Sequence, residues 1–116
     1  AVSEIEHVKK YHLPLDYHDM IIYTGFGYSG RNLLLTRSSD AVLITCGRMG
    51  TLNEFTIAFE DNKVIGVLIG TGGIADELHE LLEKGHRGFG KVMFESDPAG
   101  LVEKVIAEVH KEKVIE

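Results

Sequence analysis

Cysteine, basic charge and long apolar runs are all scarce in this chain of 116 residues, and each shortage excludes something. The single cysteine, Cys46, rules out an internal disulfide framework and any all-cysteine metal site within one chain. Lysine and arginine number 12 against 18 aspartates and glutamates, giving a net charge of −6 and an isoelectric point near 5.5. That balance opposes a phosphate backbone and argues against nucleic acid as a main partner, while small anions remain open to local geometry. Apolar runs such as Ala41-Val42-Leu43-Ile44 fall far short of the about 20 residues a membrane span requires, so no membrane partner is expected. The opening Ala1-Val2-Ser3-Glu4-Ile5-Glu6 has two acids and no apolar core, unlike a secretory signal, and a cytoplasmic location is the expectation.

What is present suits a folded domain. Hydrophobic residues make up 44% and charged residues 26%, and a chain this long buries roughly two-thirds of its unfolded surface. One domain over 1–116 is expected. Four β-rich runs recur: Met20 to Thr24, Ala41 to Thr45, Val64 to Ile69 and Lys91 to Phe94. Helical periods follow them, and such alternation predicts α/β architecture, a three-layer αβα arrangement with a parallel sheet. The two middle runs are apolar on both faces, which predicts central strands. Between the runs, Gly30 to Ser38 is predicted as a short helix with Leu33, Leu34 and Leu35 inward. Thr51 to Glu60 carries Leu52, Phe55 and Phe59 on one helical face. Ile74, Leu78, Leu81 and Leu82 predict a further helix, with Gly85 as its left-handed cap. Ser96-Asp97-Pro98 opens the last helix, expected to bury Leu101, Val102, Val105, Ile106 and Val109. The lead-in from Ala1 to Asp19 reads as irregular, with a short helix near Glu4 to Tyr11.

Parallel sheets bind ligands beyond the carboxyl ends of their strands, where loops enter helix N-termini. Glycines gather at those places: Gly25 and Gly27 after the first run, Gly47 and Gly50 after the second, Gly70 and Gly72 after the third. Free backbone N–H groups and the helix dipole favour an anion there, which predicts a phosphate-bearing ligand at these turns, Thr71 of the third among their residues. Tight turns need glycine even without a ligand, so both readings stand on this pattern. No Gly-Lys-Ser/Thr is present, and no glycine-rich turn is expected to open a helix in the G-x-G-x-x-G manner of dinucleotide oxidoreductases.

Gly25 to Glu60, with Gly-Arg-Asn at 30–32, Ser-Asp-Ala at 39–41 and Cys-Gly-Arg-Met-Gly-Thr-Leu-Asn-Glu at 46–54, resembles the LOG-like Rossmann family. That family is often labelled "possible lysine decarboxylase" and includes cytokinin riboside 5′-monophosphate phosphoribohydrolases and molybdenum-cofactor carrier proteins. Its hallmark is Pro-Gly-Gly-x-Gly-Thr-x-x-Glu after a strand, with an arginine on the preceding helix. Gly47, Gly50, Thr51 and Glu54 match, and Arg31 stands where the arginine is expected. By the resemblance Gly47, Gly50 and Thr51 would hold the phosphate; Cys46 replaces the proline, Asn32 the lysine that usually follows the arginine, and Arg48 the second glycine, where it either adds a phosphate contact or blocks the site. The family's N-terminal βαβα portion has no counterpart, so the chain resembles only the C-terminal part of a full member: a fragment, a truncated product or a half-domain completed by a second chain.

The resemblance implies cleavage of the N-glycosidic bond of a nucleoside 5′-monophosphate through an oxocarbenium-like transition state, with Arg31 and Glu54 catalytic. It equally admits a non-catalytic nucleotide carrier or sensor, or an inert half-domain serving assembly, and with part of the pocket missing, activity of this chain alone is expected to be low or nil. A homodimer or higher homo-oligomer is expected, because a sheet without its N-terminal strands exposes an apolar edge. Read without the resemblance, Thr51-Leu52-Asn53-Glu54 is a capping box and Arg31 a surface ion-pair partner. No cofactor and no metal is expected: His7, His12 and His18 have the spacing of neither an HExxH helix nor a zinc finger. His79 reads as solvated and Cys46 as a buried packing residue.

Overall fold

The structure, a computed structural model, describes residues 9–10 and 16–115. Three strands, β1 (Ala41–Thr45), β2 (Val64–Leu68) and β3 (Val92–Glu95), form a parallel sheet in the order β1-β2-β3. Register pairs Ile65 with Val42 and Val92, and Val67 with Ile44 and Phe94. Because alternate side chains leave a strand on opposite sides, these six share one face. Helix α2 (Met49–Glu60), a 3₁₀ turn (Gly73–Glu77) and α3 (Leu78–Gly85) cover it. Phe55, Ala58, Ala75, Leu78 and Leu82 complete that core. The opposite face meets α4 (Pro98–Ile115), where Leu101 and Val105 pack on Val64. A Cβ on Gly66 would lie 2.6 Å from Val105 Cγ2 and 2.9 Å from Leu43 Cδ2, so this bare position in β2 is what lets α4 lie close to the sheet. The result is the Rossmann-like αβα layering predicted from the strand and helix periods.

Several local expectations are overturned. Met20 to Thr24 forms no strand; Tyr23 alone makes a bridge, and Met20 and Ile22 are exposed. β1 is an edge strand of that sheet, and only β2 is central. Leu43 is 49% exposed, since α4 sits over β2 and β3. In α1 (Gly27–Arg37) the leucines 33 to 35 point outward, and Asn32 and Thr36 are the buried residues. Three consecutive helical positions fan over about 200° and cannot share one face, whereas Asn32 and Thr36, four apart, can. The Asn32 Nδ2 group donates to Asn53 Oδ1 at 2.9 Å, tying α1 to α2, in a setting where a lysine ammonium would be buried. The third apolar helix starts as a 3₁₀ turn, and its left-handed cap is His86, with φ 55°, while Gly85 stays helical. On α4, Val102 and Ile106 are exposed, on the flank whose Lys113 pairs with Asp40 just before the uncovered β1. The helix expected near Glu4 to Tyr11 lies outside the described residues except for Lys9 and Lys10, which are helical. His79 is half exposed and also packs on Phe89 and Phe94, with ring centroids 5.0 and 5.1 Å away.

The start of α4 follows its sequence. Asp97 Oδ2 accepts the Gly100 N–H at 2.8 Å, and Pro98 occupies the first helical position. One turn on, Lys104 hydrogen-bonds Glu95 at the end of β3, and its ammonium holds the Glu95 carboxyl below the usual carboxylate range, helped by the Ser96 N–H. A depressed folded-state pKa contributes stability that is present above the ordinary carboxylate value and lost as pH falls through the lowered one. Lys104→Met is therefore expected to flatten the acid limb of the thermal stability profile, measured between about pH 2 and pH 6, and to leave the neutral region nearly level. An unchanged acid limb would show that this pair carries no pH-linked stability.

Candidate functional site

β1 ends at Thr45 and the chain turns at once through two residues of positive φ, Cys46 at 46° and Gly47 at 85°. A Cβ on Gly47 would fall 2.4 to 2.5 Å from three atoms of the Thr51 side chain, so only glycine fits this turn. Arg48 then runs extended and α2 begins at Met49. No side chain caps that end, and the first intrahelical bond comes from the Leu52 N–H to the Arg48 carbonyl at 3.1 Å. The N–H groups of Met49, Gly50 and Thr51 thus have no partner among the described residues, which leaves the positive end of the helix dipole open.

The helix start also decides the fate of Glu54. A capping box would need Thr51 at the N-cap, yet Thr51 lies within the first turn, and Glu54 makes no hydrogen bond or ion pair among the described residues. Its half-buried carboxylate lines a cleft of about 460 Å³ together with Arg31, Cys46, Gly47, Arg48, Gly50 and Thr51. Arg31 reaches this cleft from α1, with its guanidinium 5.1 Å from the centre of the Tyr28 ring and 3.3 Å from Asn32 Oδ1, and it has no carboxylate partner among the described residues. Cys46 is exposed at the rim, which corrects the expectation of a buried packing residue. Having left the strand at positive φ, it projects past the core that Ile44 still belongs to. Gly50 is informative in another way: its φ is not positive and an added Cβ would meet nothing within 4 Å. The fold imposes no need for glycine there, although glycine costs a helix about 1 kcal/mol relative to alanine. Without a side chain there, the cleft wall at Gly50 is bare.

A second glycine-rich turn braces the first. Thr71 Oγ1 accepts the Cys46 N–H at 2.9 Å and donates to the Leu68 carbonyl at 2.8 Å. The Ile74 and Ala75 N–H groups donate to the Gly47 and Cys46 carbonyls. Gly70 and Gly72 point their amides at Asp76, 2.7 and 2.9 Å from its two carboxylate oxygens. Donors expected to meet a phosphate are already satisfied by the chain's own carboxylate. The cleft therefore gathers Arg31, Gly47, Arg48, Gly50, Thr51 and Glu54, while Gly70, Thr71 and Gly72 support it from behind. Gly25 and Gly27 line neither this cleft nor the adjoining one of about 600 Å³, which is bounded by Tyr28, Arg31, Asn32, Arg48, Met49 and Gly50. Gly25 to Gly30 does spell G-x-G-x-x-G, and α1 opens inside it at Gly27, contrary to expectation. The preceding strand that a dinucleotide fingerprint requires is missing among the described residues.

A family model described as the SLOG cluster4 family matches residues 3–102, a stretch that holds both arginines of the cleft and the whole turn from Cys46 to Glu54. The chain belongs to the SLOG cluster4 family. This SLOG chain is also similar to a solved X-ray structure, that of TM1055, a Northeast Structural Genomics Consortium target. The TM-score is 0.67 and the identity 25%, over 80% of this chain and 56% of that one. It thus spans little more than half the length of that relative. No curated protein matches it. The LOG-like Rossmann resemblance read from Gly47, Gly50, Thr51 and Glu54 is borne out. Among the described residues of the SLOG chain no helix is long and apolar enough to cross a membrane, and no group of three or more histidine, cysteine or acidic side chains is placed to hold a metal. Sequence reasoning missed Asp76, Tyr28 and Met49. An acid four residues after Gly72 and an aromatic three before Arg31 were the available signals.

Proposed function

We propose that this SLOG cluster4 chain binds a nucleoside 5′-phosphate in the cleft between α1 and the start of α2. The reading rests on one observation above all: the Glu54 carboxylate faces the same cleft as Arg31, Arg48 and the uncapped first turn of α2, without a partner of its own among the described residues. Amide donors and guanidinium groups select an anion such as phosphate. A carboxylate a helical turn away accepts hydrogen bonds from hydroxyls, so the ligand the cleft suits carries a sugar beside its phosphate. Tyr28 and Met49 beyond the arginines offer an aromatic and an apolar surface on which a base can lie.

Cleavage of the N-glycosidic bond is the chemistry this arrangement favours, because Glu54 is not spent on capping. Its negative charge would stabilise a developing oxocarbenium ion and orient the attacking water, while Arg31 holds the phosphorylated side. Titration of the chain with nucleoside 5′-monophosphates, followed by analysis for free base, is the test. Binding is expected, and Arg31→Ala is expected to weaken it about tenfold or more. Base release that Glu54→Ala abolishes supports cleavage, binding without release supports a carrier or sensor, and no binding removes the nucleotide reading.

A further inference from the structure

The chain has four arginines, and they divide into two pairs. Arg37 and Arg87 are ion-paired, to Asp61 at 3.0 Å and to Glu60 at 2.5 Å. Arg31 and Arg48 have no carboxylate partner among the described residues, in a protein with 18 acidic side chains, and both bound the same two adjoining cavities. Arg31 is held in place by the Tyr28 ring and Asn32. The Arg48 side chain has no hydrogen bond, ion pair or ring contact among the described residues, and its extended backbone sets it on the wall common to both spaces. Glu54 lines one of these cavities without pairing to either guanidinium. The two cavities, of about 460 and 600 Å³, share Arg31, Arg48 and Gly50, so one ligand can span both.

We infer that Arg48 makes this a site for nucleotides bearing a second phosphoryl group, a nucleoside diphosphate in preference to a monophosphate. This rests on the nucleotide reading above. The two phosphoryl groups are shared between the first-turn amides of α2 and the two guanidinium groups. A cation without an internal partner gives up no ion pair when it takes the second phosphoryl group, and a guanidinium can do so through two parallel hydrogen bonds.

Calorimetric titration of AMP, ADP, UMP and UDP against the parent chain, Arg48→Gly and Arg48→Gln tests this, with circular dichroism to confirm that each variant is folded. The parent is expected to bind each diphosphate about tenfold more tightly than its monophosphate, and both variants to bring that ratio close to one. A parent ratio near one, a ratio preserved in the variants, or monophosphate affinity that rises in Arg48→Gly, which would mark the side chain as an obstruction, each overturns the inference and leaves the nucleotide reading standing. Failure of parent and variants to bind any of the four nucleotides overturns both.

Discussion

Gly73→Ala is expected to destabilise the fold by about 2–5 kcal/mol and to abolish nucleotide binding, whereas Gly70→Ala, three residues earlier, should cost only about 1–2 kcal/mol. Both glycines have positive φ, 57° and 84°, so both variants carry the backbone strain of a left-handed alanine. They differ in what a Cβ would meet. At Gly70 nothing lies within 4 Å; at Gly73 the new atom would sit 2.5 Å from the Gly47 carbonyl oxygen and 2.9 Å from the Cys46 carbonyl carbon. Those are main-chain atoms of the turn that bounds the cleft, and no rotamer change relieves the overlap. The two loops must separate, which breaks the Ile74 N–H to Gly47 bond at 3.0 Å and the Ala75 N–H to Cys46 bond at 2.9 Å. Urea unfolding of the two variants gives the difference directly. Equal losses at the two positions would mean that the contact between the loops contributes nothing beyond backbone strain.

That bracing of one loop by another could not be read from the sequence, although each loop could. The spacing Gly47, Gly50, Thr51, Glu54 after an apolar run identified the turn, the helix and the family, because a tight strand-to-helix connection constrains residue type at fixed offsets. Phe55, Leu52 and Phe59 were legible as the inner face of α2 for the same local reason. Gly70 and Gly72 were legible as turn residues but not in their role, since Asp76 supplies the anion from the next turn of chain and only the three-dimensional path brings it to both amides. Met20 to Thr24 failed differently. An apolar, β-branched run becomes a strand only where a neighbour pairs with it along its length, and here Tyr23 alone makes a bridge. Leu33 to Leu35 failed because composition was read in place of angle, while the polar pair Asn32 and Thr36 held the buried positions. Cys46 failed because burial was inferred from the strand before it, one residue short of where the backbone leaves the core.

Phe55→Ala and Glu54→Ala, adjacent substitutions on α2, are expected to separate stability from ligand chemistry. Phe55 is 2% exposed, packs within the cluster that joins the sheet to the 3₁₀ turn and α3, and has the Phe59 ring 6.3 Å away. Truncating it leaves a cavity in that layer and is expected to cost about 3–5 kcal/mol, a large share of the total stability of a domain this size. Glu54 is one residue earlier and about 100° around the helix, facing the cleft with no hydrogen bond or ion pair to lose among the described residues. Its replacement by alanine, a better helix former, is expected to change stability by no more than about 0.5 kcal/mol. Chemical denaturation of the two variants against the parent chain measures both effects. A destabilisation by Glu54→Ala comparable to that of Phe55→Ala would mean that the carboxylate is engaged in holding the fold together, and a residue so engaged is not free to act on a ligand. A stability loss confined to Phe55→Ala leaves Glu54 as a charge the fold does not use, on the wall of a cleft that Arg31 and Arg48 also line.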